Sequence, residues 1–326
     1  MMKITVLDGY TLNPGDNPWT SVESLGEFTV FDRTNPDDIH QRSVDADILL
    51  TNKTPLDAAM IDLLPRLKFI SVLATGFNVV DIEAAGERGI PVSNVPTYGT
   101  DSVAQHVIAV MLNMIHRPRD HSDAVRAGQW QSCKDFSFWL QPLHELRGQT
   151  IGVVGYGRIG QRVCELAAAF GMNVLAHNPT VRHKDHLPYD RFDFCSLEQI
   201  FRESDFVSLH CPLTRDNMGF VNAALLSVMK PGAVLINTAR GQLVNEAALA
   251  EALHAGRIAG ACLDVVSQEP IGDDNPLLSA PNCLITPHYA WATVEARRRL
   301  MQITADNVEA FISGQPINVV NAWTPA

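Results

Sequence analysis

The chain has 326 residues, 46% hydrophobic and 19% charged, with a formal net charge of −11. Those proportions exclude a disordered chain, and the length exceeds what one hydrophobic core organises, so two domains are expected. The acidic balance disfavours nucleic acid and anionic membranes as partners, and no apolar run is long enough to span a bilayer.

Short β-rich runs alternate with helical segments almost throughout. Ten strands are expected: Ile4–Asp8, Phe28–Phe31, Ile48–Thr51, Phe69–Val72, Ile151–Val154, Asn173–His177, Phe206–Leu209, Val234–Asn237, Gly260–Asp264 and Cys283–Ile285. Many are continuously apolar, as strands covered by helices on both faces must be. The pattern predicts α/β architecture with two doubly wound parallel sheets, one flavodoxin-like and one dinucleotide-binding, and a site in the cleft between the domains. A long apolar helix is expected around Ser102–Met114, and an aromatic stretch with Trp130, Phe136, Phe138 and Trp139 follows it, as core or as a subunit interface. The last helix, near Thr293–Phe311, is expected to return to the first unit. Residues 1–98 with 292–326 then form a discontinuous substrate domain, and 99–291 form the cofactor domain.

The stretch Met1–Asp8 reads as a first strand, without the apolar core and cleavage site expected of a signal peptide. The six cysteines, Cys133, Cys164, Cys195, Cys211, Cys262 and Cys283, show no CxxC or zinc-ligand spacing. Reduced thiols in a cytoplasmic protein and no metal site are the expectation.

The strongest local motif is Gly155-Tyr156-Gly157-Arg158-Ile159-Gly160. It follows an apolar strand, opens a helix (Gln161–Phe170) and precedes a second strand, which is the context a dinucleotide fingerprint requires. Gly155 permits the tight turn, Gly157 lets a pyrophosphate approach the backbone, and Gly160 packs helix on strand. The amides of Arg158 and Ile159 sit at the favourable end of the helix dipole. After the second strand comes Asn178, where an acid often binds the ribose hydroxyls. Asparagine bonds a ribose without repelling a 2′-phosphate, and Arg182, His183 and Lys184 follow. NAD is expected, with NADP open.

Three later strand ends carry isolated polar residues. Arg240 ends Asn237-Thr238-Ala239-Arg240-Gly241, Glu269 lies in the segment after Asp264, and His288 ends Thr286-Pro287-His288. Reduction of a 2-keto acid needs a planar cationic fork for the carboxylate, a proton donor beside the carbonyl oxygen, and a carboxylate to orient that donor. Arg240, His288 and Glu269 supply one of each.

The ordered set GYGRIG (155–160), HCPLT (210–214), NTARG (237–241), LDVVSQEP (263–270) and TPH (286–288), with ATGFNVVD (74–81) and GIPVSNVP (89–96), resembles the D-isomer-specific 2-hydroxyacid dehydrogenases over nearly the whole chain. Residues 51–56, 102–105 and 135–139 resemble the glycerate dehydrogenase (hydroxypyruvate reductase) branch. The resemblance implies that Arg240 holds the substrate carboxylate, that His288 is the acid/base and Glu269 its partner, and that Thr75 and Gly76 bind substrate through their amides. It assigns Thr238, Ala239, Arg240, Asp264, His288 and the segment His210, Cys211 and Pro212 to the cofactor, and relatives form homodimers. Lys53 is a further candidate for the substrate tail or a solvated lysine. The implied substrates are hydroxypyruvate/D-glycerate or glyoxylate/glycolate. The alternatives are a dinucleotide-sensing binding protein, like the corepressors that share this scaffold, or a dehydrogenase for another 2-keto acid.

Overall fold

The computed structural model describes residues 1–179 and 191–324. The chain divides into two compact units, Met1–Gly99 with Trp291–Ala326 and Thr100–Ala290.

The first unit is built on β1 (Lys3–Val6), β2 (Glu27–Val30), β3 (Ile48–Thr51), β4 (Phe69–Val72) and β5 (Val92–Ser93). The sheet order is β2-β1-β3-β4-β5, and the pairings are parallel. Strand alternation sorts the core into two layers. Ile48, Leu50 and Phe69 pack on one face, and Leu49, Ile70 and Val72 on the other. The C-terminal helix Val294–Ile312 covers the first face with Ala296, Leu300, Met301, Ala305 and Val308. Burying each of its larger side chains contributes about 2 kcal/mol. Phe311 stacks on Phe69 at 4.5 Å between ring centroids. Thr293 caps the helix by accepting from the Ala296 amide.

The second unit holds β6 (Thr150–Val154), β7 (Asn173–His177), β8 (Phe192–Phe194), β9 (Phe206–Leu209), β10 (Val234–Asn237), β11 (Gly260–Leu263) and β12 (Cys283–Ile285). Its order is β12-β11-β10-β9-β6-β7-β8, again with parallel pairings. Strand order reverses between β6 and β9, so the crevice at their carboxyl ends is the topological switch point where such sheets bind ligands. Helices Thr100–His116 and Arg158–Ala169 cover one face, over Ile151, Val153, Val234 and Ile236. Helices Leu197–Glu203, Ala223–Val228 and Glu246–His254 cover the other, over Val207, Leu209 and Leu235.

The structure adds two strands to the ten expected. β5 has two residues and lies between Pro91 and Asn94, so proline hides its extended character. β8 is an edge strand with the short alternation Phe-Asp-Phe, and Tyr156 rests edge-on against both of its rings. The helix after β6 starts at Arg158 rather than Gln161, because Gly160 is a packing residue inside its first turn. The aromatic stretch is not core: Phe136 is 91% and Trp139 65% exposed. Among the described residues no helix is long and apolar enough to cross a membrane.

Candidate active site

The turn after β6 is shaped by its glycines. Gly155 has φ +99°, and a side chain there would meet the Cys211 amide nitrogen at 2.5 Å and the His210 carbonyl carbon at 2.6 Å. The fingerprint turn therefore lies directly against the end of β9. A Cβ on Gly160 would fall 2.1 Å from the Gly155 carbonyl oxygen, so the helix can close on the strand only with glycine there. Gly157 differs: a Cβ there would meet nothing within 4 Å. Its lack of a side chain serves open space at the N-cap of the helix Arg158–Ala169, with the amides of Arg158 and Ile159 in the first turn. Such a helix start favours an anion.

At the neighbouring strand ends, His210 bonds its Nε2 to the Ser208 hydroxyl at 2.8 Å. Burial pushes its imidazole down to about 4, so the ring is neutral at physiological pH. Burial raises the Cys211 thiol, which stays protonated. The Pro212 carbonyl accepts from the Asn217 side chain at 2.8 Å, which pins the segment. Asn178 follows β7 and is half-buried, whereas Arg182, His183 and Lys184 lie outside the described residues.

Thr238, after β10, has a hydroxyl oxygen that is buried without a hydrogen-bond partner among the described residues. An unmet hydroxyl at a strand end of the sheet that carries the open glycine turn is what a dinucleotide site would leave for its ligand. The residues present thus fit that group. One residue earlier, Asn237 is fully buried and clamps the turn. Its Oδ1 accepts from the Ala239 amide at 3.0 Å, and its Nδ2 donates to the Arg240 carbonyl at 2.8 Å. The half-buried Arg240 guanidinium donates to the Ala239 carbonyl at 2.7 Å, and among the described residues no carboxylate pairs with it.

His288 and Glu269 are brought together. His288 Nδ1 lies 2.7 Å from Glu269 Oε2, and the two side chains are 27% and 34% exposed. A carboxylate accepts only from a protonated nitrogen, so Nδ1 carries hydrogen and Nε2 is left for exchange with a ligand. His288 holds φ +52°, a left-handed conformation that costs a non-glycine residue about 1 kcal/mol. Its amide donates to the carbonyls of Asp264 at 2.8 Å and Thr286 at 3.0 Å. Asp264, 3% exposed at the end of β11, completes the cradle. Its Oδ1 accepts from the Thr286 hydroxyl at 2.6 Å and the Tyr289 amide at 3.0 Å, and its Oδ2 from the Ala290 amide at 3.0 Å. The Asp264 carboxylate thus shapes the His288 turn, a role not expected from sequence.

Sequence reasoning also missed Asn237, Glu246 and His106. Asn237 reads as a strand residue and Glu246 as a helix-start acid. Only His106 carries a signal, as a histidine in the middle of an apolar helix. Its ring meets Tyr289 edge-on at 5.2 Å; burial lowers its pKa, against the pull of the Asp264 charge.

In the first unit, Asp8 accepts from the amides of Asn52, Lys53 and Thr54 and so fixes the turn that carries Lys53. The Thr75 hydroxyl donates to the Val95 carbonyl at 2.9 Å, and Asn94 Nδ2 donates to the Thr75 carbonyl at 2.8 Å, which holds the segment of Thr75 and Gly76. Among the described residues, no cluster of three or more His, Cys, Asp or Glu is suited to a metal.

Residues 108–290 match the model of the D-isomer specific 2-hydroxyacid dehydrogenase NAD binding domain. The chain is 47% identical to the hydroxypyruvate reductase of Blautia hydrogenotrophica, across 98% of this chain and 100% of that one. It is 42% identical to the glycerate dehydrogenase of Methylorubrum extorquens, across 91% and 92%. It also superposes on the NADPH-dependent glyoxylate/hydroxypyruvate reductase of Sinorhizobium meliloti, solved with NADP and malonate. That TM-score is 0.80 at 31% identity, covering 98% of this chain and 96% of that one.

Proposed function

The chain belongs to the D-isomer-specific 2-hydroxyacid dehydrogenases, and from that premise we propose that it reduces hydroxypyruvate or glyoxylate to the D-2-hydroxy acid with NAD(P)H. The observation that carries the reading is the 2.7 Å bond between His288 and Glu269 in the sheet whose β6 turn leaves Gly157 open.

The cofactor would be held by the amides of Arg158 and Ile159 on its phosphates, by Asn178 on its ribose, and by Thr238, Ala239 and the segment His210–Pro212 around the rest. When bound, it supplies the hydride. The protein supplies the rest. Arg240 pairs its fork with the substrate carboxylate and faces the carbonyl oxygen, where charge grows as that oxygen becomes an alkoxide. His288 Nε2 holds the proton that this oxygen takes, while Glu269 keeps Nδ1 protonated and the ring aligned. Asp264 orients the His288 turn from behind. Thr75, Gly76 and Lys53 serve the substrate in the first unit. Asn178 admits both NAD and NADP, because an amide binds ribose hydroxyls without repelling a 2′-phosphate.

The enzyme works as a cytoplasmic homodimer. The six free thiols support the compartment. The exposed Trp130, Phe136, Trp139, Leu140 and Leu143, close together in sequence, support a second copy as partner.

The test is oxidation of NADH and NADPH with a panel of 2-keto acids. Hydroxypyruvate and glyoxylate should be preferred over pyruvate and bulkier acids. No oxidation with any of them would overturn the reading.

A further inference from the structure

Glu269 lies on an irregular loop. From Asp264 to Asn275 the chain forms no helix or strand, and residues 267–270 are exposed. Its Oε1 accepts from the Val266 amide at 3.3 Å, within the same loop. A side chain that must stay at 2.7 Å from a catalytic imidazole needs its backbone fixed from elsewhere.

Glu246, the first residue of the helix Glu246–His254, supplies that anchorage. Its Oε1 accepts from the Ser267 amide at 2.6 Å. Its Oε2 accepts from the Ser267 hydroxyl at 2.7 Å and from Asn275 Nδ2 at 3.0 Å. One carboxylate therefore ties down both arms of the loop, on either side of Glu269. The remaining polar group of Ser267, its carbonyl, accepts from Gln242 Nε2 at 2.7 Å. Gln242 belongs to the turn that carries Arg240, and Gly241 of that turn lies flat on Val266, where a Cβ would fall 1.9 Å from the carbonyl carbon. An acid in a first helical turn ordinarily serves only the helix dipole. Here its two oxygens are spent on a different segment.

We propose that Glu246 is a positioning residue for the reaction: through Ser267 it sets the place of Glu269 against His288 and locks that pair to the Arg240 turn. The inference rests on the acid/base role given to the His288–Glu269 pair. It predicts that Glu246 acts on turnover through Glu269 and leaves cofactor binding alone.

A double-mutant cycle with Glu246→Gln and Glu269→Gln tests it. Both oxygens of Glu246 face only donors, so an amide must turn its NH2 toward a donor and open the clamp. Glu246→Gln should lower kcat about tenfold with an unchanged KM for the cofactor, and should cost less than about twofold more in the Glu269→Gln background. Ser267→Ala, which keeps the amide bond to Glu246, should show the same pattern at smaller size and serves if Glu246→Gln fails to fold. Equal losses in both backgrounds, or unchanged kcat in a folded variant, would overturn the proposal. A readout free of turnover separates it from the reaction itself. The His288 Nδ1 proton, followed by NMR, should broaden or shift upfield in Glu246→Gln and Ser267→Ala. An unchanged resonance sinks the proposal even if the keto-acid assay succeeds, and a changed one supports it even if that assay fails.

Discussion

Each side chain of the site takes its chemistry from what faces it. His288 and His210 are the same residue in opposite surroundings: one meets a carboxylate, and the other is half-buried beside a hydroxyl. His288→Asn removes the proposed proton carrier, so kcat should fall about 100- to 10,000-fold while dinucleotide titration by fluorescence stays near wild type. His210 enters the pH dependence of stability. Its folded value of about 4 lies below the ordinary 6.5. Between those values the unfolded chain binds a proton that the folded chain does not, so stability falls as pH drops through this window and is fully present above it. The contribution is about 3 kcal/mol at most. Melting curves from pH 7 to 4.5 should show a smaller loss for His210→Asn than for wild type. Thr238 offers a third case. Its hydroxyl is buried and unmet, so Thr238→Val should leave the melting temperature unchanged or higher, yet weaken dinucleotide binding by about 1 kcal/mol. A melting temperature lowered by the change would mean that the hydroxyl already has a partner.

At the scale of elements, the site is a set of turns after parallel strands, and each turn is held by its neighbour. The β6 turn presses on the end of β9, the Arg240 turn lies on Val266, and Asp264 after β11 fixes the residues after β12. Two glycines of one motif separate folding from binding. Gly160→Ala drives a methyl to 2.1 Å from the Gly155 carbonyl and should lower the melting temperature by several degrees, a loss of about 2 kcal/mol. Gly157→Ala meets open space, so the fold should keep its stability while affinity for the dinucleotide drops about tenfold, since the methyl takes the room of a pyrophosphate oxygen. Both are read by thermal melting and cofactor titration. Equal behaviour of the two would contradict the division of labour.

For the molecule as a whole, the exposed aromatics set a further expectation. A chain that leaves Phe136 and Trp139 in water gains by burying them against a second copy. Sedimentation should give a dimer, and Phe136→Ser with Trp139→Ser should weaken it at least tenfold. A monomer at micromolar concentration in the unaltered protein would count against the homodimer. The two sheets follow one logic in two versions, orders β2-β1-β3-β4-β5 and β12-β11-β10-β9-β6-β7-β8, and only the second carries the glycine fingerprint.

Much of this was legible before any coordinates. Continuous apolar runs such as Ile48–Thr51 and Val234–Asn237 can hardly be anything but covered parallel strands, and ordered motifs at strand ends identify the family, because local spacing suffices for both. The fingerprint's glycine roles follow from steric rules that act over a few residues. Short edge strands such as Phe192–Phe194 escaped, since three residues carry too little periodicity. The clamps escaped for a deeper reason. Glu246 and Ser267 are 21 residues apart, and Asp264 and Ala290 are 26 apart. Nothing in a linear pattern says which acid will turn toward which amide. That choice is made when β10, β11 and β12 align side by side, and it is the tertiary structure that turns an ordinary helix-start acid and a buried aspartate into supports of the His288–Glu269 pair.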